Sequence, residues 1–416
     1  MEFMKLFLVA LAPLLNIFII AALGAILALQ SIGILRKNAK KHLNIIVYFV
    51  FTPALLYSLL ANSITLGSLV MLWFLPLNIL LRYIIGSTLA WFLNKTIRVP
   101  RHLHGLVMGC CAAGNIGTLP LIIVPTICIE GSHLFGNVDV CTRNALAFTS
   151  LTSAVGHICC WSIVYNFLRI YSLKPSVVKF DESTKNNEIG ILENISKCSK
   201  KALSSIEEKS LPSDCIDHLE IECKVVDGQE KVQEKSNIMK HLKNFTDRNN
   251  LKALFAPALW GVVVGVIIGI VPQLRKVLIG ESAPLHMLHT SVAMLGDACI
   301  PTMILIVGAN LLKGLKGIGK MVPLVVGIIL VMYVALPSIG IGIVKGAIHF
   351  NLISSDPLYH FVLLLHYAVP PAVSVSTMTQ LFGVGKSECS VIMFATYASA
   401  PILLTLWCTV FMWLVL

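Results

Sequence analysis

Residues 113–125 read AGNIGTLPLIIVP. The run is apolar enough to lie in a bilayer, yet it holds an Asn, two Gly and two Pro where a membrane helix should be continuous. Pro removes a backbone donor and Gly loosens the helix. In hydrocarbon each freed polar group costs several kcal/mol unless protein or a wet cavity satisfies it. Residues 366–380, HYAVPPAVSVSTMTQ, are a second stretch of the same kind. Two interrupted spans at corresponding places in two halves point to a transporter binding site.

Outward from these breaks, the chain of 416 residues is 56% apolar and 13% charged, with a mean hydropathy of +0.82. That is the composition of a polytopic membrane protein. We read ten spans, at 6–29, 43–61, 67–93, 103–125 and 144–171, then 251–272, 285–312, 320–348, 358–380 and 388–414. The first run is too long for the apolar core of a signal peptide and counts as a span. Between the two sets lies a polar segment, 173–250, rich in Lys, Glu, Ser and Asn. Its charge is balanced and Trp is absent, so we expect a largely disordered linker with at most a short amphipathic helix near 195–206. The expected organisation is 1–172, the linker 173–250, and 251–416.

The net charge of +11 therefore resides in the membrane part. Arg36, Lys37, Lys40, Lys41, Lys95, Arg98, Arg101, Lys313, Lys316, Lys320 and Lys386 fall in alternate loops. By the positive-inside rule these loops and 173–250 are cytosolic and both termini are lumenal. The sequons at Asn94, Asn194 and Asn244 then face the cytosol and stay unused. A basic face on a folded domain, as nucleic-acid binding requires, is absent. Cys128 and Cys141 bracket one short loop and can pair if it faces an oxidising lumen. The other span cysteines read as small packing residues, with no metal spacing.

The two sets of five resemble each other. TPALLYSLLAN ends at Asn62, nine residues after Pro53, and IPTMILIVGAN ends at Asn310, nine residues after Pro301. FTSLTSAVGHICCW (148–161) aligns with FATYASAPILLTLW (394–407), and a similar offset sets Pro125 on Pro371. A duplicated unit with an odd number of spans must be inverted. The expected fold is all-α, with two inverted five-helix repeats whose broken fourth and ninth helices cross.

Half-helix N-termini at such a crossing present unpaired N–H groups and about half a positive charge each, which favours an anion such as a carboxylate. Asn115 and Thr118 can add donors from the fourth span, and Ser374, Ser376 and Thr377 from the ninth. Asp297 lies mid-span, as a proton carrier or cation ligand, or as a carboxyl bonded to unwound backbone. Arg82 pairs with an acid, binds the anion or snorkels to the interface. Asn62 and Asn310 read as helix–helix contacts before ligands, and His157 and His366 as interior hydrogen-bond partners before titrating switches. Pro53 and Pro301 let their helices bend. No Walker loop, nucleophile elbow or HExxH motif is present, so we expect neither an enzyme nor a cofactor.

GNIGTLPLIIVP, the following Cys128…Phe135-Gly136…Cys141 loop, AVGHICCWSIVYNFLR (154–169), LGDACIPTMILIVGANLLKGL (295–315) and AVPPAVSVSTMTQLFGVGKSECSVIMFATY (368–397) resemble the PIN-LIKES proteins of the auxin efflux carrier superfamily. The resemblance spans nearly the whole membrane part and leaves out most of 173–250. It implies a ten-helix bundle like that of sodium/proton antiporters and bile-acid carriers. It also implies transport of indole-3-acetic acid or related auxins across the endoplasmic reticulum membrane. Asn115 and Pro120 match the superfamily's Asn…Pro in the first crossing helix, and Pro370, Pro371 and Ser374 fall in the second. The expected partners are this organic anion, membrane lipid and at most a second copy of the chain. A ligand sensor signalling through 173–250, or a carrier of a dicarboxylate such as malate, is the alternative.

Overall fold

The computed structural model describes residues 2–29, 31–131, 134–172, 257–280, 283–314 and 321–416, all within one compact unit. The linker 173–250, its expected helix near 195–206 and the sequons at Asn194 and Asn244 lie outside them. Helices run in the order α1 (Glu2–Leu27), α2 (Lys37–Ile46), α3 (Thr52–Ser63), α4 (Leu66–Met71), α5 (Phe74–Ile97), α6 (His104–Ala112), α7 (Leu119–Glu130), α8 (Val138–Cys159) and α9 (Tyr165–Ser172). The second half has α10 (Pro257–Ile270), α11 (Pro272–Leu278), α12 (His286–Asp297), α13 (Cys299–Gly314), α14 (Val322–Leu330), α15 (Leu336–His349), α16 (Pro357–Leu365), α17 (Val373–Phe382) and α18 (Lys386–Val415). Three π-helical turns, Val47–Phe51, Cys160–Val164 and Val331–Ala335, join α2 to α3, α8 to α9 and α14 to α15.

Seven helical stretches are long and apolar enough to cross a membrane: Phe3–Leu27, Asn38–Ser63, Phe74–Ile97, Val138–Ser172, His286–Asn310, Val322–His349 and Lys386–Val415. An eighth is formed if α10 and α11, bent by 103° at Val271, count as one span. Pro272 supplies the bend, because it cannot donate into the preceding turn. The protein is a multi-pass membrane protein. The third expected span moves: 67–93 becomes Phe74–Ile97, with α4 a separate short helix before it.

Small residues let the longest contacts close. A Cβ on Gly308 of α13 would fall 1.8 Å from the Ala21 carbonyl oxygen of α1, and one on Gly24 2.2 Å from that of Leu305. Without the hydrophobic effect between helices in lipid, this close backbone approach is what carries attraction. Along α10, Gly261, Gly265 and Gly269 likewise lie against the Pro53, Tyr57 and Ile64 carbonyls of α3 and its end. Apolar side chains meanwhile turn outward to where lipid would be, as with Phe18, Ile84, Trp91 and Trp413.

Two caps fix where the central helices start. The Asn137 side chain accepts from the Asp139 and Val140 amides at the head of α8, and Asp356 accepts from Leu358 N at 2.9 Å ahead of α16. Such caps satisfy end donors that the helix cannot pair itself. Between the start of α8 and the end of α7, Cys128 and Cys141 are joined by a disulfide with Cα atoms 5.7 Å apart.

Candidate functional site

The breaks read from the sequence are present, and they pair with each other. Helix α6 ends at Ala112 and α7 begins at Leu119; α16 ends at Leu365 and α17 begins at Val373. Gly114 and Pro371 form an antiparallel bridge. Asn115 N donates to Pro370 O at 2.7 Å, and Ala372 N to Ala113 O at 2.8 Å. Each unwound strand thus satisfies backbone groups that the other's prolines and glycines set free, which is how irregular backbone survives in a buried setting. Pro125 and Pro371 are not equivalent, contrary to the expected register. Pro125 lies inside α7, while Pro371 is in the break opposite Gly114.

On one side of the crossing the two half-helix C-termini converge on Arg82. This side chain is fully buried, so it neither snorkels nor reaches the interface. Its Nε donates to His366 O at 2.6 Å and its Nη1 to Ala112 O. A cation there opposes the negative ends of two helix dipoles. Its Nη2 has no hydrogen-bond partner among the described residues. Gly114 makes room, since a Cβ there would meet Nη2 at 2.3 Å. Asn78, one turn before Arg82 on α5, donates from Nδ2 to Leu363 O and to His366 Nδ1, both at 3.1 Å. Tyr367 OH donates back to Asn78 Oδ1 at 2.9 Å. The acceptor at Nδ1 leaves the proton on His366 Nε2, which faces Thr152 Oγ1 at 3.1 Å. His366 is therefore a neutral interior strut, as the sequence suggested.

On the other side the N-termini of α7 and α17 open. Neither N-cap side chain, Thr118 or Ala372, bonds an amide of its helix, although Leu119 N donates to Asn115 O at 3.3 Å, Val375 N to Ala372 O at 3.1 Å, and Pro120 has no N–H. Uncapped N-termini offer donors and positive potential to a ligand. A small polar cleft in front of them is lined by Asn115, Gly117, Thr118, His157, Cys160 and Ser374, among others. It adjoins a second cleft that shares His157, Met303, Val373 and Ser374 and adds Asn44, Tyr48, Thr52, Trp161 and Thr377. Tyr48 and Trp161 sit on two of the π-helical turns with ring centroids 5.1 Å apart. π-Turns recur at functional sites because they re-aim side chains.

Across Asn115, Thr118 and Met303 lies a larger cavity of about 390 Å3 between α1, α13 and α18, within the range of about 300–1,000 Å3 usual for small-molecule sites. Its walls are apolar, including Leu14, Phe18, Ile304, Val307 and Phe394, with Asn115, Thr118 and Tyr397 as polar points. Asn115 Nδ2 donates to Tyr397 OH at 3.0 Å, which donates to Pro371 O at 2.9 Å. None of the residues lining these three cavities is Lys, Arg, Asp or Glu.

The structure brings Asn115, Thr118, Pro370 and Ser374 to these cavities, with Pro120 and Pro371 shaping the backbone beside them. It does not bring Asp297 there; the residue ends α12 on an exposed face. Neither Asn62 nor Asn310 lines these cavities. Asn310 Oδ1 accepts from Lys40 Nζ at 3.3 Å, and Asn62 O from Arg275 Nη2 at 3.0 Å. Pro53 opens α3 just after a π-turn, and Pro301 lies exposed in α13. The sequence reading missed Tyr397, Met303, Tyr48 and Trp161. It also missed Asn78, whose spacing of one turn from Arg82 was a usable signal.

Comparison with known proteins bears on what such a crossing does. A family model described as "Membrane transport protein" matches residues 9–408. Over its whole length the chain is 40% identical to Protein PIN-LIKES 3 of Arabidopsis thaliana, covering 99% of that protein. The chain belongs to the PIN-LIKES family. Protein PIN-LIKES 1 of the same plant is also 40% identical, with 81% of its length covered, and Protein PIN-LIKES 4 is 36% identical over its full length. A PIN-LIKES chain of this family is a membrane transporter and not an enzyme.

Proposed function

We propose that this PIN-LIKES protein is a secondary carrier of indole-3-acetic acid or a related aromatic carboxylate across the endoplasmic reticulum membrane, working by alternating access. The observation that carries this is the pair of uncapped helix N-termini, α7 and α17, opening on polar clefts beside an apolar cavity of about 390 Å3. The carboxylate sits at the N-termini with Asn115, Thr118 and Ser374, and the ring lies along apolar or aromatic wall. Pro120, Pro370 and Pro371 keep the backbone open. The broken pairs α6–α7 and α16–α17, added to the seven long helices and the bent pair, make ten spans in two inverted repeats, 1–172 and 251–416. The bundle holding the crossing moves against α3 and α12–α13, with Pro53 and Pro301 at the bends.

The lumenal placement of both termini and the cytosolic placement of 173–250 rest on loop charge. The disulfide between Cys128 and Cys141 agrees with a lumenal connection between α7 and α8. A dicarboxylate substrate is disfavoured, because no Lys or Arg lines the cavities and Arg82 Nε and Nη1 are held by the C-termini. The test is binding of indole-3-acetic acid to purified protein, wild type against Asn115→Ala, with malate as competitor. Saturable binding that Asn115→Ala weakens at least severalfold and malate does not displace supports the assignment. Absent auxin binding, or displacement by malate, overturns it.

A further inference from the structure

We infer that His157 is the proton-accepting contact for the bound carboxylate, so that anion binding is linked to uptake of a proton; this rests on the crossing site proposed above. His157 Nδ1 lies 2.8 Å from the carbonyl oxygen of Ser153. A carbonyl only accepts, so Nδ1 carries the hydrogen and Nε2 is the free end of the neutral ring. The ring lies directly over the break before α7: a Cβ on Gly117 would meet His157 Cε1 at 2.7 Å and Ser153 Oγ at 3.4 Å. Ser153 Oγ is fully buried and without a hydrogen-bond partner among the described residues. His157 lines both small clefts at the α7 and α17 N-termini, together with Ser374. The imidazole thus borders the clefts at two helix N-termini, with the unused Ser153 hydroxyl beside Gly117.

The neighbours on every side leave His157 as the group whose charge can change there. From its own helical stretch come Cys160 and Trp161, and from the π-turn before α3 comes Tyr48, while the Ser153 carbonyl holds Nδ1. Helix α10 presents Ala258, α13 presents Met303 and Ile306, α17 presents Val373, Ser374 and Thr377, and the break presents Asn115 and Thr118. Tyr48 and Cys160 are the other titratable side chains among them, and none is charged at neutral pH. A carboxylate held at the N-termini favours the imidazolium, and the imidazolium favours the carboxylate. The proton comes from water and joins Nε2; no bond in the anion changes. The loaded site then carries no net charge, which lowers the cost of moving it through hydrocarbon. By linkage, affinity rises as pH falls, by up to about tenfold per pH unit where one proton is taken up.

The experiment is calorimetry of indole-3-acetic acid binding to full-length protein in detergent, from pH 5.5 to 8. It uses buffers of different ionisation enthalpy and compares wild type, Asn115→Ala, His157→Gln and His157→Ala. Wild type is expected to take up close to one proton in part of this range, with affinity rising as pH falls. His157→Gln, whose amide can still donate to the Ser153 carbonyl, is expected to bind with no proton uptake and a flat pH profile. Asn115→Ala is expected to bind more weakly with the wild-type proton uptake. Equal proton uptake in wild type and His157→Gln, or a flat wild-type profile, overturns the role of His157 and leaves the crossing site standing. Loss of all binding in wild type overturns both. If His157→Gln does not fold, by melting temperature, the proton count of wild type against His157→Ala gives the same decision.

Discussion

Arg82 shows how much one side chain decides here. It is among the largest fully buried side chains of the described residues, and its two donated hydrogen bonds hold the ends of α6 and α16. Arg82→Leu leaves two carbonyls unpaired, at about 1–3 kcal/mol each. We expect a large fall in melting temperature in detergent and loss of ligand binding with it; an unchanged melting curve would remove Arg82 from this role. Arg82→Lys should recover part of the stability, since one ammonium can bond both oxygens but cannot reproduce the fork. Tyr397 is the contrasting case. Tyr397→Phe strands the Asn115 amide and the Pro371 carbonyl, yet keeps the packing. Binding of indole-3-acetic acid should weaken severalfold while the melting temperature falls by far less than in Arg82→Leu, measured on the same preparations.

Among the elements, the glycines sort into two kinds by what lies above them. Gly308 on α13 faces the Ala21 carbonyl of α1, so Gly308→Val must push two backbones apart. Overpacking of this kind costs about 1–3 kcal/mol or more. Gly346 on α15 has nothing within 4 Å, so Gly346→Ala adds helix propensity with no clash, a gain of up to about 1 kcal/mol. Melting temperatures of the two variants should move in opposite directions. A drop for Gly346→Ala equal to that of Gly308→Val would mean that α15 has a close neighbour where the structure leaves space. The same reasoning applies to Gly261, Gly265 and Gly269 on α10, whose backbone rides on α3.

For the whole molecule, the testable property is which face is which. Cys128 and Cys141 are bonded, whereas Cys110, Cys111, Cys159, Cys160, Cys299, Cys389 and Cys408 are free and buried. Under denaturing, non-reducing conditions a maleimide should label neither Cys128 nor Cys141, and both should label after reduction. A glycosylation sequon introduced between α7 and α8 should be used in microsomes if that connection is lumenal, and the native Asn94 should not. Asn94 has a second reason to stay bare: it is buried and its amide donates to His104 O. Glycosylation at Asn94 would reverse the proposed orientation.

The sequence by itself determined that the chain is a multi-pass membrane protein, where its helices break, and which family it joins. Apolar runs of two dozen residues admit little but helix in lipid, and the Asn, Gly and Pro at 114–120 and 370–371 admit little but a break. Asn115, Thr118, Pro370 and Ser374 were legible as candidates beside the breaks for the same reason, since they are the polar or helix-breaking residues at those points. The tertiary structure alone decided what meets them. Arg82, read as an acid's partner, an anion ligand or a snorkelling residue, became the counter-charge of two C-termini, because its Nε and Nη1 reach both from α5. Asp297, conspicuous in the sequence, ended on an exposed face. Tyr397, Trp161 and Met303 had no polar or breaking signature to mark them, and the register that set Pro125 on Pro371 failed once Gly114 was seen to pair with Pro371. Local chemistry dictates where a backbone must open; which side chains fill the opening depends on contacts made by residues far apart in the chain, and a one-dimensional pattern does not carry those distances.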